Sequence, residues 1–374
     1  MSRKISDQSL QLDALDGLRG AAALIVILSH TSNASMFFLP FLDARGSGKS
    51  GVFLFFLLSS FLLSRALIKQ GVGAYSLSSI NHYAQRRFFR IYPLYILYLL
   101  LGVISTVIFS EFLGQQNKGV PFSLSVREFL NHIFLIQGKG VTWSIAVEFK
   151  FYFVLPLLIF FCYLIKSKFS YFIEILFLLS LIILTQLVSP QSESLVNDSR
   201  LLPYLCIFLI GTILATIQCE IEAGNIDRTR IKPIVWLSYC SVLILVFITP
   251  EGASLIFGEV DKDHFHKYFI QHAILWGIIL LSIINFNSKL SSIFKMKILG
   301  FYGALSFSIY LFHPTFVSIA KYLALDQYFS AWFVLLSSTV ASYISYRFLE
   351  LPVSKFKTSF NKSNNSVTAN RASS

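Results

Sequence analysis

The chain has 374 residues, 55 % apolar and only 13 % charged, with 38 phenylalanines and a mean hydropathy of +0.66. A soluble fold cannot hide that much apolar surface, so the composition excludes a disordered chain, a secreted disulfide scaffold and an ordinary cytosolic enzyme. The 31 Lys and Arg against 19 Asp and Glu fit the basic loops of a membrane protein; no nucleic-acid partner is expected, because no basic stretch with interleaved base-stacking aromatics lies outside the apolar segments.

What remains is an all-α polytopic membrane protein. Residues 1–16 are polar and lack a cleavage-site pattern, so the first apolar stretch is expected to be a retained helix. A spanning helix needs about 20 mostly apolar residues. Ten runs qualify: 17–36, 51–68, 88–112, 146–166, 171–188, 200–218, 233–249, 268–286, 299–321 and 327–349. The run 51–68 is short, which suits a tilted or partly re-entrant segment, and 128–137 reads as an interfacial helix too short to span. Cys162, Cys206, Cys219 and Cys240 lie in or beside apolar runs without metal-ligand spacing, so they read as small hydrophobes and no metal is expected.

With a cytoplasmic N-terminus and ten alternating spans, the cytoplasmic segments hold 20 basic residues and the opposite side 9. The positive-inside rule therefore predicts both termini in the cytoplasm. Residues 1–352 form one transmembrane domain in this reading, and the Lys/Ser/Asn-rich tail 353–374 is expected to be disordered.

Ionisable groups inside spans are costly and mark functional candidates. Arg19 and His30 are eleven residues apart, about 16 Å along a helix and on one face. They read either as a functional stripe or as a snorkelling arginine and a structural histidine. Glu148 and His313, on two other spans, fall at about the depth of His30, which suits a general base with an orienting carboxylate. His313 precedes Pro314, so satisfying backbone groups freed by the proline is an equal reading. Arg86, Arg87 and Arg90 share a face at the expected start of a span, either as a phosphate site at a helix N-terminus or as an anchor for membrane lipid headgroups. Ser59 and Ser60 in an aromatic helix suit close packing of another helix or a ligand chain. His82, His132, His264 and His266 fall in expected loops and are assigned no chemistry; His272, early in a span, reads as structural.

Read together, these segments resemble the acyltransferase-3 family of integral membrane O-acyltransferases. Asp16-Gly17-Leu18-Arg19-Gly20 with His30 is similar to its Arg-x10-His motif, and Gly51 to Leu63 to its "GVxxFFxLSGFLL" segment. Arg86 to Tyr95 resembles "RRxxRIxPxY", and Trp143 to Pro156 resembles "WSLxxEExFYxxxP". Leu305 to Pro314 resembles "LSYSxYLxHxP", and Tyr346 to Pro352 "YRFIExP". The six matches run in one order from about residue 12 to 352. Ser60 stands where the family usually has Gly. Phe149 replaces a frequent second acidic residue, leaving Glu148 alone in any carboxylate role.

The resemblance implies an enzyme that moves an acyl group, most often acetyl, from cytosolic acyl-CoA to a hydroxyl of an extracytoplasmic or lipid-linked glycan, such as a surface polysaccharide or O-antigen. The donor is a substrate; no bound cofactor is expected. His30, Glu148 and His313 are the catalytic candidates. Arg19, Arg86, Arg87 and Arg90 are the donor-binding candidates. A bacterial inner membrane is the expected location, and a short tail after the last span suggests a stand-alone form without a fused soluble domain. The alternative is a secondary transporter without transfer chemistry, which also keeps polar groups at depth. The acceptor sugar, acyl length and oligomeric state are not encoded in these motifs.

Overall fold

The computed structural model describes residues 2–108, 124–258 and 262–353, with side chains from Asp13 onward and only the backbone over 262–264. Residues 354–374 of the expected tail lie outside the described residues, as does the end of the 88–112 run. Among the described residues all regular structure is helical. The chain runs through α1 (Ser2–Asn33), α2 (Gly48–Gln70), α3 (Leu77–Val107), the short α4 (Val126–Ile133), α5 (Thr142–Lys168), α6 (Tyr171–Val188) and α7 (Leu205–Ala223). It continues through α8 (Ile234–Phe247), α9 (Pro250–Phe257), α10 (Phe269–Asn285), α11 (Lys289–Phe294), α12 (Lys297–Ala304), α13 (Ser306–Tyr322) and α14 (Gln327–Ser345).

Each apolar run coincides with a helix, and the chain is a multi-pass membrane protein. Among the described residues six helices are long and apolar enough to cross a bilayer, or up to eight if each of two bent pairs is one span. The run 299–321 is not straight, and the run 233–249 ends at a bend. The helix α8 turns by 83° into α9, and α12 by 76° into α13. At the first bend Thr249 caps the new helix by accepting from the Gly252 N–H at 3.1 Å, and Pro250 stands at its first position, where no amide is needed. The run 51–68 is longer than expected: α2 has 23 residues, most of them buried. The segment 128–137 overlaps the short α4, which opens on a capping box between Ser125 and Glu128.

The core is built by α1, α2, α5, α7 and α10, while α6 turns residues such as Leu176, Ile183 and Leu187 outward. In lipid, apolar burial adds little between helices, so small residues and interhelical hydrogen bonds hold the centre. Ser60 donates to the Phe208 carbonyl and meets Thr212 at 3.2 Å, and Ser64 meets Thr212 at 2.9 Å. Trp276 donates to Ser50 at 3.0 Å, and Asn285 to Gln218 at 2.7 Å. Ser60 is thus a packing residue between α2 and α7. At one end of the bundle Glu222 meets Arg65 at 2.6 Å and Lys69 at 2.5 Å, and Glu220 pairs with Lys166.

The apolar beginning of α1 is clamped against α11 and α12. A Cβ at Gly17 would lie 1.7 Å from the Phe294 carbonyl oxygen, and one at Gly20 would lie 2.0 Å from that of Leu299. Both contacts are backbone, so neither neighbour can swing away. These glycines therefore set how closely Arg19, which stands between them, approaches the bundle. Gly20→Ala should cost about 1–3 kcal/mol through overpacking, while Gly300→Ala, which meets nothing within 4 Å, should be neutral or stabilising by up to about 1 kcal/mol. Thermal melting of the two purified variants in detergent checks this; equal melting temperatures would remove the clamp.

Candidate active site

Two cavities lie along α1, one around Arg19 and one around His30. The guanidinium cavity has a volume of about 300 Å³ and is lined by Arg19, Arg87, Arg90, Glu148, Tyr152 and Ser59 among others. The histidine cavity has a volume of about 540 Å³ and is lined by His30, Ser29, Lys49, Asn33, Asn197 and Trp143 among others. Arg19 and His30 each line one cavity, as a shared helix face requires.

The His30 ring is held by His313. Its Nδ1 lies 2.7 Å from His313 Nε2, and His313 Nδ1 lies 3.0 Å from the Ile309 carbonyl oxygen. A carbonyl can only accept, so His313 Nδ1 carries the hydrogen and, in the neutral ring, Nε2 accepts. His30 Nδ1–H must then be the donor between the rings, which leaves the lone pair on His30 Nε2. The relay from the Ile309 carbonyl through His313 thus presents one basic nitrogen on a ring that lines the cavity. His313 is thus tied to the Ile309 carbonyl on one side and holds the His30 ring on the other.

Glu148 is elsewhere. Its Oε1 accepts from the Tyr152 hydroxyl at 2.6 Å, and the i, i+4 series Ser144, Glu148, Tyr152 lines the guanidinium cavity. The expected His30–Glu148 pairing is not formed. The reason is depth: His30 is three residues from the end of α1, whereas Glu148 is six residues into α5, and each residue adds about 1.5 Å.

The arginines also differ from expectation. The helix α3 begins at Leu77 with Ser76 as its cap, so Arg86 to Arg90 lie well inside it and no free helix amides assist them. Arg87 and Arg90 line the cavity; Arg86 is exposed and is not part of the lining. Arg19 joins them from α1, bonded to Asp16 at 2.9 Å. Arg87 stacks over the Tyr152 ring at 5.6 Å, and its buried Nε meets no acceptor. Three guanidiniums facing one carboxylate make a site for a polyanion.

Val52 and Tyr310 line both cavities and so form the partition between them. The Tyr310 hydroxyl donates to the Val141 carbonyl at 3.0 Å and lies 2.7 Å from Ser144 Oγ. Val141 belongs to the histidine side and Ser144 to the guanidinium side.

Residues 12–347 match the family model of the acyltransferase domain, Acyl_transf_3. The chain belongs to the acyltransferase-3 family. It is 28 % identical over 370 residues to the O-acetyltransferase OatA of Staphylococcus aureus strain NCTC 8325, covering 92 % of this chain and 57 % of that protein. It is 27 % identical over 368 residues to the peptidoglycan O-acetyltransferase OatA of Listeria monocytogenes serovar 1/2a, covering 91 % and 56 %. A putative O-acetyltransferase of S. aureus strain COL is 24 % identical over 371 residues. The chain thus spans little more than half the length of these relatives. No solved structure gives a significant match.

Within this acyltransferase-3 chain, sequence reasoning passed over Tyr310, Ser144, Tyr152 and Lys49. The spacing of Ser144, Glu148 and Tyr152, and of Tyr310 and His313, puts each set on one helix face and was the available signal. His132, assigned no chemistry from the sequence, is buried in α4. His132 Nδ1–H donates to the Glu128 carbonyl at 2.7 Å, and Nε2 accepts from the Lys139 N–H at 2.9 Å. That ring fixes the segment leading to Gly140 and Val141, a wall of the histidine cavity. Among the described residues no group of three His, Cys, Asp or Glu side chains is placed to hold a metal.

Two outcomes are expected. His313→Phe keeps a ring but removes the acceptor of His30 Nδ1–H, and should lower turnover about 10- to 100-fold with a shifted pH profile, by analogy with other groups that orient a functional histidine; an unchanged profile would leave His313 structural. Burial holds the His132 pKa below its ordinary value. The unfolded ring therefore takes up protons first, and stability of this segment is present above about pH 6.5 and lost as pH falls below it. Hydrogen exchange over residues 125–141 should speed up between about pH 7 and pH 5 beyond the intrinsic pH trend, and His132→Gln should flatten that response.

Proposed function

We propose that this protein is a membrane O-acyltransferase that moves an acyl group, acetyl in the first instance, from acyl-CoA to a glycan hydroxyl. The observation that carries the reading is the pair of cavities meeting at Val52 and Tyr310: a polyanion site on one side, a tautomer-fixed histidine on the other. Membership of an acyltransferase family favours transfer over transport alone, and the names of the OatA relatives favour acetyl and a glycan. A peptidoglycan acceptor is named for the Listeria relative; here the proposed acceptor class is a glycan, lipid-linked or at the cell surface.

In this proposal the donor phosphates bind Arg19, Arg87 and Arg90, and the pantetheine arm extends past Tyr310 to bring the thioester beside His30. Passage requires the Tyr310 hydroxyl to leave Val141 and Ser144. An acceptor hydroxyl gives its proton to His30 Nε2 as its oxygen attacks the thioester carbon. The tetrahedral intermediate then expels the CoA sulfur, which recovers the proton from His30 Nε2–H. The charged His30 ring keeps its Nδ1–H on His313, so the positive charge is never left unpartnered. A positioned base of this kind contributes about 10²- to 10⁴-fold. The guanidinium side faces the cytoplasm in this reading, as does the N-terminus, following the bias of basic residues.

His30→Ala should abolish transfer of labelled acetyl from acetyl-CoA without loss of membrane level. Arg87→Ala and Arg90→Ala should each raise the donor KM, with Lys rescuing only in part because a point charge lacks the two-pronged fork. Glu148→Gln should act on the donor KM and leave the pH profile unmoved. Wild-type transfer by the His30→Ala protein would overturn the site, and an unmoved donor KM in the double arginine variant would return those residues to lipid anchoring.

A further inference from the structure

The lining of the histidine cavity includes Arg45, Lys49 and His266 together with the amides of Asn33 and Asn197, and it contains no Asp or Glu. Arg45 is already matched, since it pairs with Asp43 and lies 4.0 Å from Glu251. Lys49 is not matched. Its Nζ donates to Asn197 Oδ1 at 2.7 Å and stands 4.1 Å from the centroid of the Trp143 ring. No carboxylate among the described residues forms an ion pair with it. Its place in the fold adds to the cost. Lys49 is the second residue of α2, so its charge sits at the positive end of the helix dipole, where an anion is favoured and a cation is not.

A second observation comes from α1. Ser29 is 1 % exposed and its Oγ has no hydrogen-bond partner. It lines the same cavity and packs on the first residue of α2: a Cβ at Gly48 would lie 3.1 Å from Ser29 Oγ and 3.7 Å from His30 Cδ2. An uncompensated ammonium, an orphan hydroxyl and the first turn of a helix therefore meet beside His30. One negatively charged group entering the cavity would offset the ammonium, the hydroxyl and the dipole together.

We propose that the acceptor is an anionic glycan, whose carboxylate or phosphate is held by Lys49 at the first turn of α2 while a neighbouring hydroxyl meets His30. The inference rests on the histidine cavity being the acceptor side of an acyltransferase, and it names the acceptor's chemistry. Lys49 is then a specificity-determining residue. The reaction itself is unchanged: the anion is a handle and takes no part in the transfer.

The test uses the full chain in nanodiscs with acetyl-CoA and three acceptors that differ in charge: a β-glucuronide, a hexose phosphate and a neutral β-glucoside. Acetyl ester formation is read by mass spectrometry as kcat/KM for each. The wild type should prefer at least one charged acceptor over the neutral one by about tenfold, the scale of a charge-assisted hydrogen bond. Which charged acceptor leads tells carboxylate from phosphate. Lys49→Met should bring the ratio close to one, and Lys49→Arg should largely keep it. A ratio within one preparation does not depend on the fraction of folded protein, so misfolding cannot imitate the result. Wild-type transfer with no preference for charge, or an equal preference in Lys49→Met, would overturn the anionic acceptor and leave the transferase reading intact. No transfer to any acceptor and no CoA release would overturn both.

Discussion

An unpaired charge in an apolar medium costs several kcal/mol unless the protein supplies its partner, and the placement of the charges in this chain follows from that constraint. Several ionisable groups near helix ends are matched there, as in Glu222 with Arg65 and Lys69. A set of exceptions lies along one face of α1 and the walls it meets. There the matching is incomplete: one carboxylate lines the cavity of three guanidiniums, a buried arginine nitrogen and a buried serine hydroxyl lack partners, and an ammonium near the histidine pair has an amide and a ring but no carboxylate. Such gaps are expensive in a resting protein and are offset when a ligand of the right charge arrives.

The rest of the architecture serves to hold α1 in place. Backbone contact at Gly17 and Gly20 brings it against α11 and α12, and hydroxyl bonds lock α2 to α7 behind it. With α1 fixed, the eleven-residue separation of Arg19 and His30 becomes a fixed span between two chemistries. The partition of Val52 and Tyr310 falls between them, held shut by two hydrogen bonds that lead to opposite sides. Closed, it keeps the two compartments separate; opening it costs about two modest hydrogen bonds, on the order of 1–3 kcal/mol.

The histidine pair solves a problem that a carboxylate would solve differently. A His–Glu pair would stabilise an imidazolium by charge, whereas here His30 donates a hydrogen bond to His313, which donates in turn to the Ile309 carbonyl. A neutral relay does not raise the basicity of the ring as strongly as an anion does, but it fixes the tautomer and adds no buried negative charge. Glu148 is thereby left to the guanidinium side, where it accepts from the Tyr152 hydroxyl and lines one cavity with Arg19, Arg87 and Arg90.

Much of this was legible from the chain alone. Apolar runs of spanning length located the helices, because in lipid every backbone group must be satisfied within its own segment. The rarity of charge in such runs singled out Arg19, His30, Glu148 and His313, and the six ordered motifs pointed to the family. What the sequence could not decide was which of these groups meet. Depth along separate helices is uncertain by a turn, and one turn is the difference between His30 touching Glu148 and His30 touching His313. Helix starts were equally out of reach: the beginning of α3 at Leu77, rather than near Arg86, depends on an amphipathic stretch that has no apolar signature. The partition at Tyr310 and the unmatched Lys49 exist only in the assembled bundle, because a cavity is made by residues distant in sequence, and no single helix encodes the space between helices.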